Sequence, residues 1–324
     1  MHRHRHHWKV IVSTNLWKNP QSWRGETPIK PRDRNAQPRL RNLDAIAPAL
    51  RRIQPDSIDL GSCTTLENVD GLKGLSRLKS LWLDNCIALQ NMEGIKGLTG
   101  LKELNLGHCS LLKNADPLKS FTSLESIDLS GCRALQNVDS LKGMVRLQSL
   151  NLKDCAALQS VDGLNGLRNL DTLNLDGCTA LKNVNALKGM TNLRVLRISN
   201  NYDRQTVEDL GTLTGLDSLH LGRFTALENL DGIKGLTSLS TLFVEDCPSL
   251  KNLDGLKGLT RLILLEVVDC TGLRNVDGLK GLTGLQLIYF NRSTGIPAAA
   301  LRELRTALPK ANIIFPDQTI IPPE

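Results

Sequence analysis

Leucine and other aliphatic residues recur along this 324-residue chain at a fixed spacing of 23 positions. From residue 55 to residue 284 this spacing gives ten consecutive units without an insertion, and an eleventh begins at Leu285. A fixed period of roughly 20–50 residues is typical of proteins in which similar units stack along one axis, each burying its apolar side chains against its neighbours. We therefore predict an elongated array of stacked units.

Each unit has two parts that differ in the spacing of their apolar residues. In the unit that starts at Leu147, Leu150 and Leu152 flank Asn151, an alternation typical of a short strand with one buried face. After Cys155 the apolar residues lie three apart, which suits a 3-10 turn or an extended return path. The pattern predicts parallel strands on one side of the array and 3-10 or irregular turns on the other.

The repeated pattern LxxLxLxxCxxLxxVxxLxxLxx resembles the leucine-rich repeat family over about residues 55–292. The family motif has Asn or Cys where this pattern has its cysteine, and the N-V-D-G-L-K-G-L segment is most similar to bacterial members. The resemblance implies an α/β solenoid of the leucine-rich-repeat type. Such a solenoid is an arc with a parallel sheet on its concave face, short 3-10 or irregular turns on its convex face, and helical caps.

The stacked units need covered ends, and the flanking segments supply candidates. Leu43, Ile46, Leu50 and Ile53 are spaced as one face of a helix before the first unit. After the last strand, an alanine-rich helix is predicted to begin near Pro297, followed by a closing strand at residues 313–315. The predicted segments are a basic, disordered tail (1–39), an N-terminal helical cap (40–54), the repeats (55–292), and a C-terminal helical cap and tail (293–324).

The net charge of +7 is located in the N-terminal segment. Residues 1–52 have 12 Lys/Arg and 3 Asp/Glu, whereas the remaining residues have 28 and 30. A basic tail could bind nucleic acid or an anionic surface, or it could simply be solvated. Binding of nucleic acid or of an anionic surface through this basic N-terminal segment is therefore the alternative function.

The first twenty residues lack an apolar stretch long enough for a secretory signal. No run of the sequence approaches the roughly 18–20 apolar residues of a membrane span. We expect a cytoplasmic monomer without a membrane span.

The cysteines all occupy the same position of their units. Inward-pointing side chains on neighbouring parallel strands keep their Cβ atoms about 4.8 Å apart, farther than the roughly 3.5–4.5 Å of a disulfide. There is no CxxC spacing and no histidine column that would favour a metal site. We predict eight reduced thiols, and the family resemblance implies that they are buried and bond to loop backbone. They are Cys63, Cys86, Cys109, Cys132, Cys155, Cys178, Cys247 and Cys270.

In most units an acidic residue precedes the Gly-Leu-Lys-Gly-Leu segment, with a lysine three positions later, as in Asp254 and Lys257. A column of carboxylates could suggest a calcium ladder, but calcium takes about six or more oxygen ligands, and the lysines neutralise the column. We interpret the acidic residues as caps of the free turn amides and as half of a solvated charge ladder. No cofactor and no metal is expected.

The central outward position of each strand has no core to fill, so its residue types indicate function. Large aromatic and arginine side chains at such positions are the types enriched in binding hot spots. In the first half of the array this position is short and polar except for Trp82, and from Arg197 onwards it is large. With flanking Arg223, the predicted partner-binding residues are Trp82, Arg197, His220, Arg223, Phe243, Glu266 and Tyr289.

No pattern indicates catalysis. The repeats contain only His108 and His220, five units apart, and no phosphate-binding loop or Ser/His/Asp arrangement. The irregular unit 193–215, with Asn201–Arg204 in place of Cys-Ala-Ala-Leu, is either a specificity element or drift. We expect a non-catalytic protein-binding module that uses the concave sheet surface, partly by analogy with the family.

Overall fold

The structure of the protein is a computed structural model that describes residues 9–11, 40–199, 207–315 and 320–321. The chain divides into two compact units, residues 1–167 (unit 1) and 168–324 (unit 2). Both units repeat the same plan, in which a strand is followed by a corner, a 3-10 turn and a return segment. The predicted fold class, a solenoid of parallel strands and 3-10 turns, is confirmed.

Unit 1 has strands that pair in parallel in chain order. From β2 to β6 each strand pairs with the next at an offset of 23 residues, so the repeat period sets the sheet register. The strands are β1 (Lys9–Ile11), β2 (Ser57–Asp59), β3 (Ser80–Trp82), β4 (Glu103–Asn105), β5 (Ser126–Asp128) and β6 (Ser149–Asn151). The 3-10 turns are Asp70–Leu72, Glu93–Ile95, Asp116–Ser120, Asp139–Leu141 and Asp162–Leu164.

A short helix, α1 (Ala47–Ile53), precedes β2 in unit 1. Pro48 lies in its first turn, where a missing amide hydrogen costs nothing, and Gln54 ends it in a left-handed conformation. Leu43 and Leu50 are fully buried. A Cβ on Gly71 would lie 2.6 Å from the Cβ of Leu43, so this segment packs closely on the first 3-10 turn.

Strand β1 lies within the segment that the sequence predicted to be disordered. Its backbone pairs in parallel with β2, with Lys9 opposite Ser57 and Ile11 opposite Asp59. This strand was not predicted from the sequence. The rest of residues 1–39, including most of the basic segment on which the nucleic-acid alternative depends, lies outside the described residues.

Unit 2 continues the same repeat and ends in a helix and two short strands. Strands β7 to β13 pair in parallel, and β14 pairs antiparallel with β13, the closing strand that the sequence predicted. The strands are β7 (Thr172–Leu175), β8 (Val195–Ser199), β9 (Ser218–Gly222), β10 (Thr241–Glu245), β11 (Leu264–Val268), β12 (Leu287–Asn291), β13 (Asn312–Ile314) and β14 (Ile320–Ile321). The helix is α2 (Ala298–Ala307), and the 3-10 turns are Asn185–Leu187, Glu208–Leu210, Asp231–Ile233, Asp254–Leu256 and Asp277–Leu279.

The core of each unit consists of the repeated aliphatic side chains. Leu150 and Leu152 are buried, whereas Asn151 between them is partly exposed. Phe224 takes the place of a cysteine in its unit and is fully buried. The apolar side chains of each strand are buried on one face, against the turns of its unit. Most side chains on the opposite face are partly or fully exposed.

The cysteines are free thiols and are buried, as predicted. The Cys109 Sγ donates to the carbonyl oxygen of Leu83 at 3.3 Å, and the Cys132 Sγ donates to that of Leu106 at 3.2 Å. Burial raises the pKa of the Cys109 thiol to about 12. These two thiols therefore tie one repeat to the backbone of the previous one, and the raised pKa makes the Cys109 thiol a poor nucleophile in the folded protein.

The acidic residues that begin the 3-10 turns were predicted to cap the turn amides and to pair with lysines. The structure shows the second role only. Six side chains of this acidic column pair with the lysine three positions later, as Asp254 does with Lys257 at 3.0 Å. The predicted capping role is wrong at the turns that begin at Asp70 and Asp254, because their capping residues are Val69 and Leu253 and no side-chain cap bond forms there. Instead, Asn252 Oδ1 accepts from the Asp254 amide at 3.0 Å, and the same bond recurs at Asn275 and Asp277. An asparagine two positions earlier satisfies the amide, so the aspartate is left for the lysine.

Candidate protein-binding face

In unit 1 the central outward residue of most strands ends the strand. The side-chain oxygens of Asp59, Asn105, Asp128 and Asn151 accept from the backbone amide two residues later at 2.8–3.1 Å. Because this bond occupies an amide that could otherwise join the sheet, it favours a turn. The strands concerned are three residues long. These outward side chains therefore have a structural role that the sequence analysis did not assign to them.

In unit 2 the same position holds larger side chains, and strands β8 to β12 are each five residues long. Arg197, His220, Phe243, Glu266 and Tyr289 are consecutive partners in the sheet register. Neighbouring members therefore lie about 4.8 Å apart along one row. Arg197 is exposed and the other four are half-buried. We call the outward side chains of β8 to β12 the outer face of unit 2.

The outer face of unit 2 is apolar around the end of this row. Leu264 and Val268 occupy the other outward positions of β11, and Leu287 lies beside Leu264 on β12. All three are half-buried, like Phe243 and Tyr289. These aliphatic residues are not among the predicted contact residues, which were taken mainly from the central position of each strand. Apolar residues at the two outward positions on either side of Glu266 were the available signal.

Arg197 is exposed but does more than face solvent. Its Nε donates to Asp176 Oδ2 at 2.8 Å, and the Asp176 side chain is only 10% exposed. The other carboxylate oxygen of Asp176, Oδ1, is buried and has no hydrogen-bond partner. Since a buried carboxylate without a cation is costly, Arg197 helps to hold the fold as well as to form the outer face.

His220 lies in a polar and aromatic environment. Its Nε2 is 3.4 Å from Glu245 Oε2, and its ring centroid is 5.9 Å from that of Phe243. Burial lowers the pKa of His220 below its usual 6.5, and the charge of Arg197 lowers it further, while Asp176 and Glu245 oppose the shift. The imidazole is therefore mainly neutral near pH 7, and it leaves the charge of Glu245 uncompensated.

The remaining charged residues at the outer face differ in their pairing. Arg223 Nε lies 3.4 Å from Asp246 Oδ2, and an Arg292 terminal nitrogen lies 2.6 Å from Asp269 Oδ2. All four residues follow directly after strands and have left-handed backbone, with φ between 51° and 57°. Glu266 makes no ion pair within the part of the chain that the structure describes. Like the carboxylate of Glu245, its carboxylate has no cation paired with it among the described residues.

The structure brings six of the seven predicted contact residues together. Arg197, His220, Phe243, Glu266 and Tyr289 form the row in unit 2, and Arg223 follows directly after β9 beside it.

Trp82 belongs to unit 1 and lies apart from these six in the chain. It is half-buried between Asp59 and Asn105 in the sheet register, so its strand neighbours are polar.

The described residues contain neither a cluster of metal-ligating side chains nor a membrane-spanning helix. Within them there is no group of three or more His, Cys, Asp or Glu side chains that could hold a metal ion. Among the described helices, none is long and apolar enough to cross a membrane.

Two family models match parts of the chain. One is described as plant disease resistance protein RPS2-like, leucine-rich repeats, and matches residues 143–271. The other is the leucine-rich repeat domain of endo-β-N-acetylglucosaminidase EndoS and matches residues 77–162. Both agree with the 23-residue register of parallel strands. The chain is a leucine-rich repeat protein. No curated protein matches it.

Solved structures of other leucine-rich repeat proteins are similar in fold. An internalin, inlF, from Listeria monocytogenes is 18% identical, with 79% of this chain and 77% of that chain covered and a TM-score of 0.58. A leucine-rich repeat protein from Leptospira interrogans is 16% identical, with 95% and 99% covered and a TM-score of 0.50. At these identities the likeness shows the fold alone. Leucine-rich repeat proteins are typically protein-binding scaffolds and are generally not enzymes.

Proposed function

We propose that this leucine-rich repeat protein is a non-catalytic module that binds a protein partner on the outer face of unit 2. The observation that carries the proposal is the row from Arg197 to Tyr289, in which large side chains occupy a position that ends the strand in most of unit 1. Because these residues have no turn to stabilise, they are available for contact.

The composition of the row also supports a protein partner. Arginine and tyrosine are enriched among residues that dominate binding energy at protein interfaces. Half-buried Phe243 and Tyr289 combine apolar area with the aliphatic side chains of β11 and β12. Ion pairs lie at the edge of this apolar region, an arrangement that is typical of interfaces with an apolar centre and a polar rim.

The proposal is tested by affinity capture from the source organism, with bound proteins quantified by mass spectrometry. The test variant is Phe243→Ala/Tyr289→Ala. The control variant is Leu111→Ala/Val145→Ala, which removes two side chains that are 46% and 55% exposed in turns away from the strands.

A protein that the parent and the control variant retain, and that the test variant loses at least tenfold, supports the proposal. Equal capture by the parent and both variants would contradict it. Urea unfolding must first show equal stability for all three proteins, so that a loss of capture reports on contact and not on folding.

A further inference from the structure

The strongest unexplained feature of the outer face is the position of Glu266. Its neighbours in the sheet register are Phe243 on β10 and Tyr289 on β12, and its outward neighbours along β11 are Leu264 and Val268. All five residues are half-buried. We call these five residues the Glu266 patch. It consists of a carboxylate ringed on four sides by apolar or aromatic side chains.

The charge of Glu266 has no counterpart among the residues that the structure describes. Arg197, Arg223 and Arg292 at this face each have a carboxylate within hydrogen-bond range. Glu266 makes no ion pair among the described residues, and the nearby Glu245 has only the imidazole of His220 as a partner. The patch therefore combines apolar surface with net negative charge.

The fold does not require a carboxylate at this position. The equivalent position holds Asn151, Trp82 and Phe243 in other units, and where it holds Asp59 or Asp128 the carboxylate accepts from the backbone amide two residues later. An unpaired charge among apolar side chains loses part of its hydration, which costs free energy. Residues that violate a local rule in this way are expected at functional sites, where a partner supplies the missing interaction.

We propose that the Glu266 patch receives an arginine side chain of the protein partner, an inference that rests on the proposed function. The guanidinium would pair with the Glu266 carboxylate, and its flat faces and aliphatic stem would contact the rings of Phe243 and Tyr289. A guanidinium fits better than an ammonium, because it is weakly hydrated, planar and able to stack on aromatic rings while donating two hydrogen bonds to a carboxylate. A hard metal ion fits poorly, because it requires several oxygen ligands.

The first test uses small probes and does not depend on an identified partner. The sequence has two tyrosines, so 3-fluorotyrosine labelling gives two fluorine NMR signals, and a Tyr202→Phe variant assigns that of Tyr289. The probes are Nα-acetyl-arginine methylamide, its lysine counterpart, and the citrulline counterpart, which has the shape of arginine without the charge.

The arginine probe should shift the Tyr289 signal saturably, with a dissociation constant on the order of millimolar. The citrulline probe should bind about tenfold more weakly or worse, because it forms no charge-assisted hydrogen bonds. The lysine probe should bind between the two. Equal binding of arginine and citrulline, or of arginine and lysine, would overturn the proposal.

Two matched substitutions locate the effect. Glu266→Gln should weaken the arginine probe about tenfold at unchanged unfolding midpoint. Glu103→Gln makes the same change to an outward carboxylate of β4 whose direct register partners are Ser80 and Ser126, neither of them aromatic, and which accepts from the Ser80 hydroxyl. It should leave the binding unchanged. A parent-like affinity in Glu266→Gln would overturn the proposal.

The second test separates this inference from the proposed function. Capture of a protein that depends on Phe243 and Tyr289 and also falls tenfold in Glu266→Gln supports both. Capture that depends on the two aromatic residues but not on Glu266 retains the proposed function and overturns the inference. Arginine-probe binding without any captured protein retains the cation site and contradicts the proposed function.

Discussion

The pairing of Arg197 with Asp176 leads to a quantitative prediction about stability. Arg197→Ala removes the cation from a carboxylate whose side chain is 10% exposed and whose second oxygen already lacks a partner. Breaking a fully buried pair costs about 3–5 kcal/mol. Because Arg197 itself is 45% exposed, water would partly replace it, so we expect a loss of about 2–3 kcal/mol.

Arg223→Ala is the matched control, since it makes the same change to a pair of similar chemistry in the same unit. Its partner, Asp246, has a side chain that is 40% exposed and remains hydrated after the substitution. Exposed pairs contribute about 0–1 kcal/mol, so Arg223→Ala should cost less than about 1 kcal/mol. The burial of the acidic partner is therefore predicted to decide the size of the effect.

The assay is urea unfolding followed by circular dichroism, with variants compared by the shift of the midpoint at unchanged slope. Asp176→Asn should restore most of the stability lost in Arg197→Ala, because the double variant has no buried charge left to neutralise. Equal losses in Arg197→Ala and Arg223→Ala, or no recovery in the double variant, would refute the reasoning.

Three further predictions concern the repeats and the histidine. Leu152→Ala should lower the free energy of unfolding by about 2–5 kcal/mol, since Leu152 is fully buried and a cavity would remain; denaturant unfolding measures the loss. Asn275→Ala should cost about 1 kcal/mol by freeing the Asp277 amide, whereas Lys257→Ala, at an exposed pair, should cost less than about 0.5 kcal/mol. Stability should fall as the pH drops below about 6.5, because the unfolded chain protonates His220 more readily than the folded chain does; His220→Gln should make unfolding curves at pH 7 and pH 5 more alike.

The sequence contains enough information to predict the register of the sheet. A period of 23 residues forces each strand to pair with its equivalent in the next unit, and the alternation around Asn151 determines which side chains are buried. The burial of the cysteines follows from the same repetition. These features depend on apolar pattern alone, so sequence reasoning predicts them well.

Hydrogen-bond partners were harder to predict, since several polar residues compete for the same amide. The acidic column was assigned to the turn amides, but Asn252 and its equivalents occupy them and leave the aspartates for lysine. Likewise, nothing in the spacing shows that Arg197 pairs with buried Asp176, which lies 21 residues earlier. Such pairings depend on side-chain reach between strands, which a one-dimensional pattern does not specify.

The central claim, that the outer face of unit 2 contacts a protein, is tested most directly by site-specific photo-cross-linking in an extract of the source organism. A photoreactive phenylalanine analogue replaces Phe243 or Tyr289 in two proteins, and Leu111 or Val145 in two controls. We predict that the same protein is cross-linked from positions 243 and 289 and from neither control. Cross-linking of a protein from the control positions only, or no cross-link from the outer face, would contradict the account.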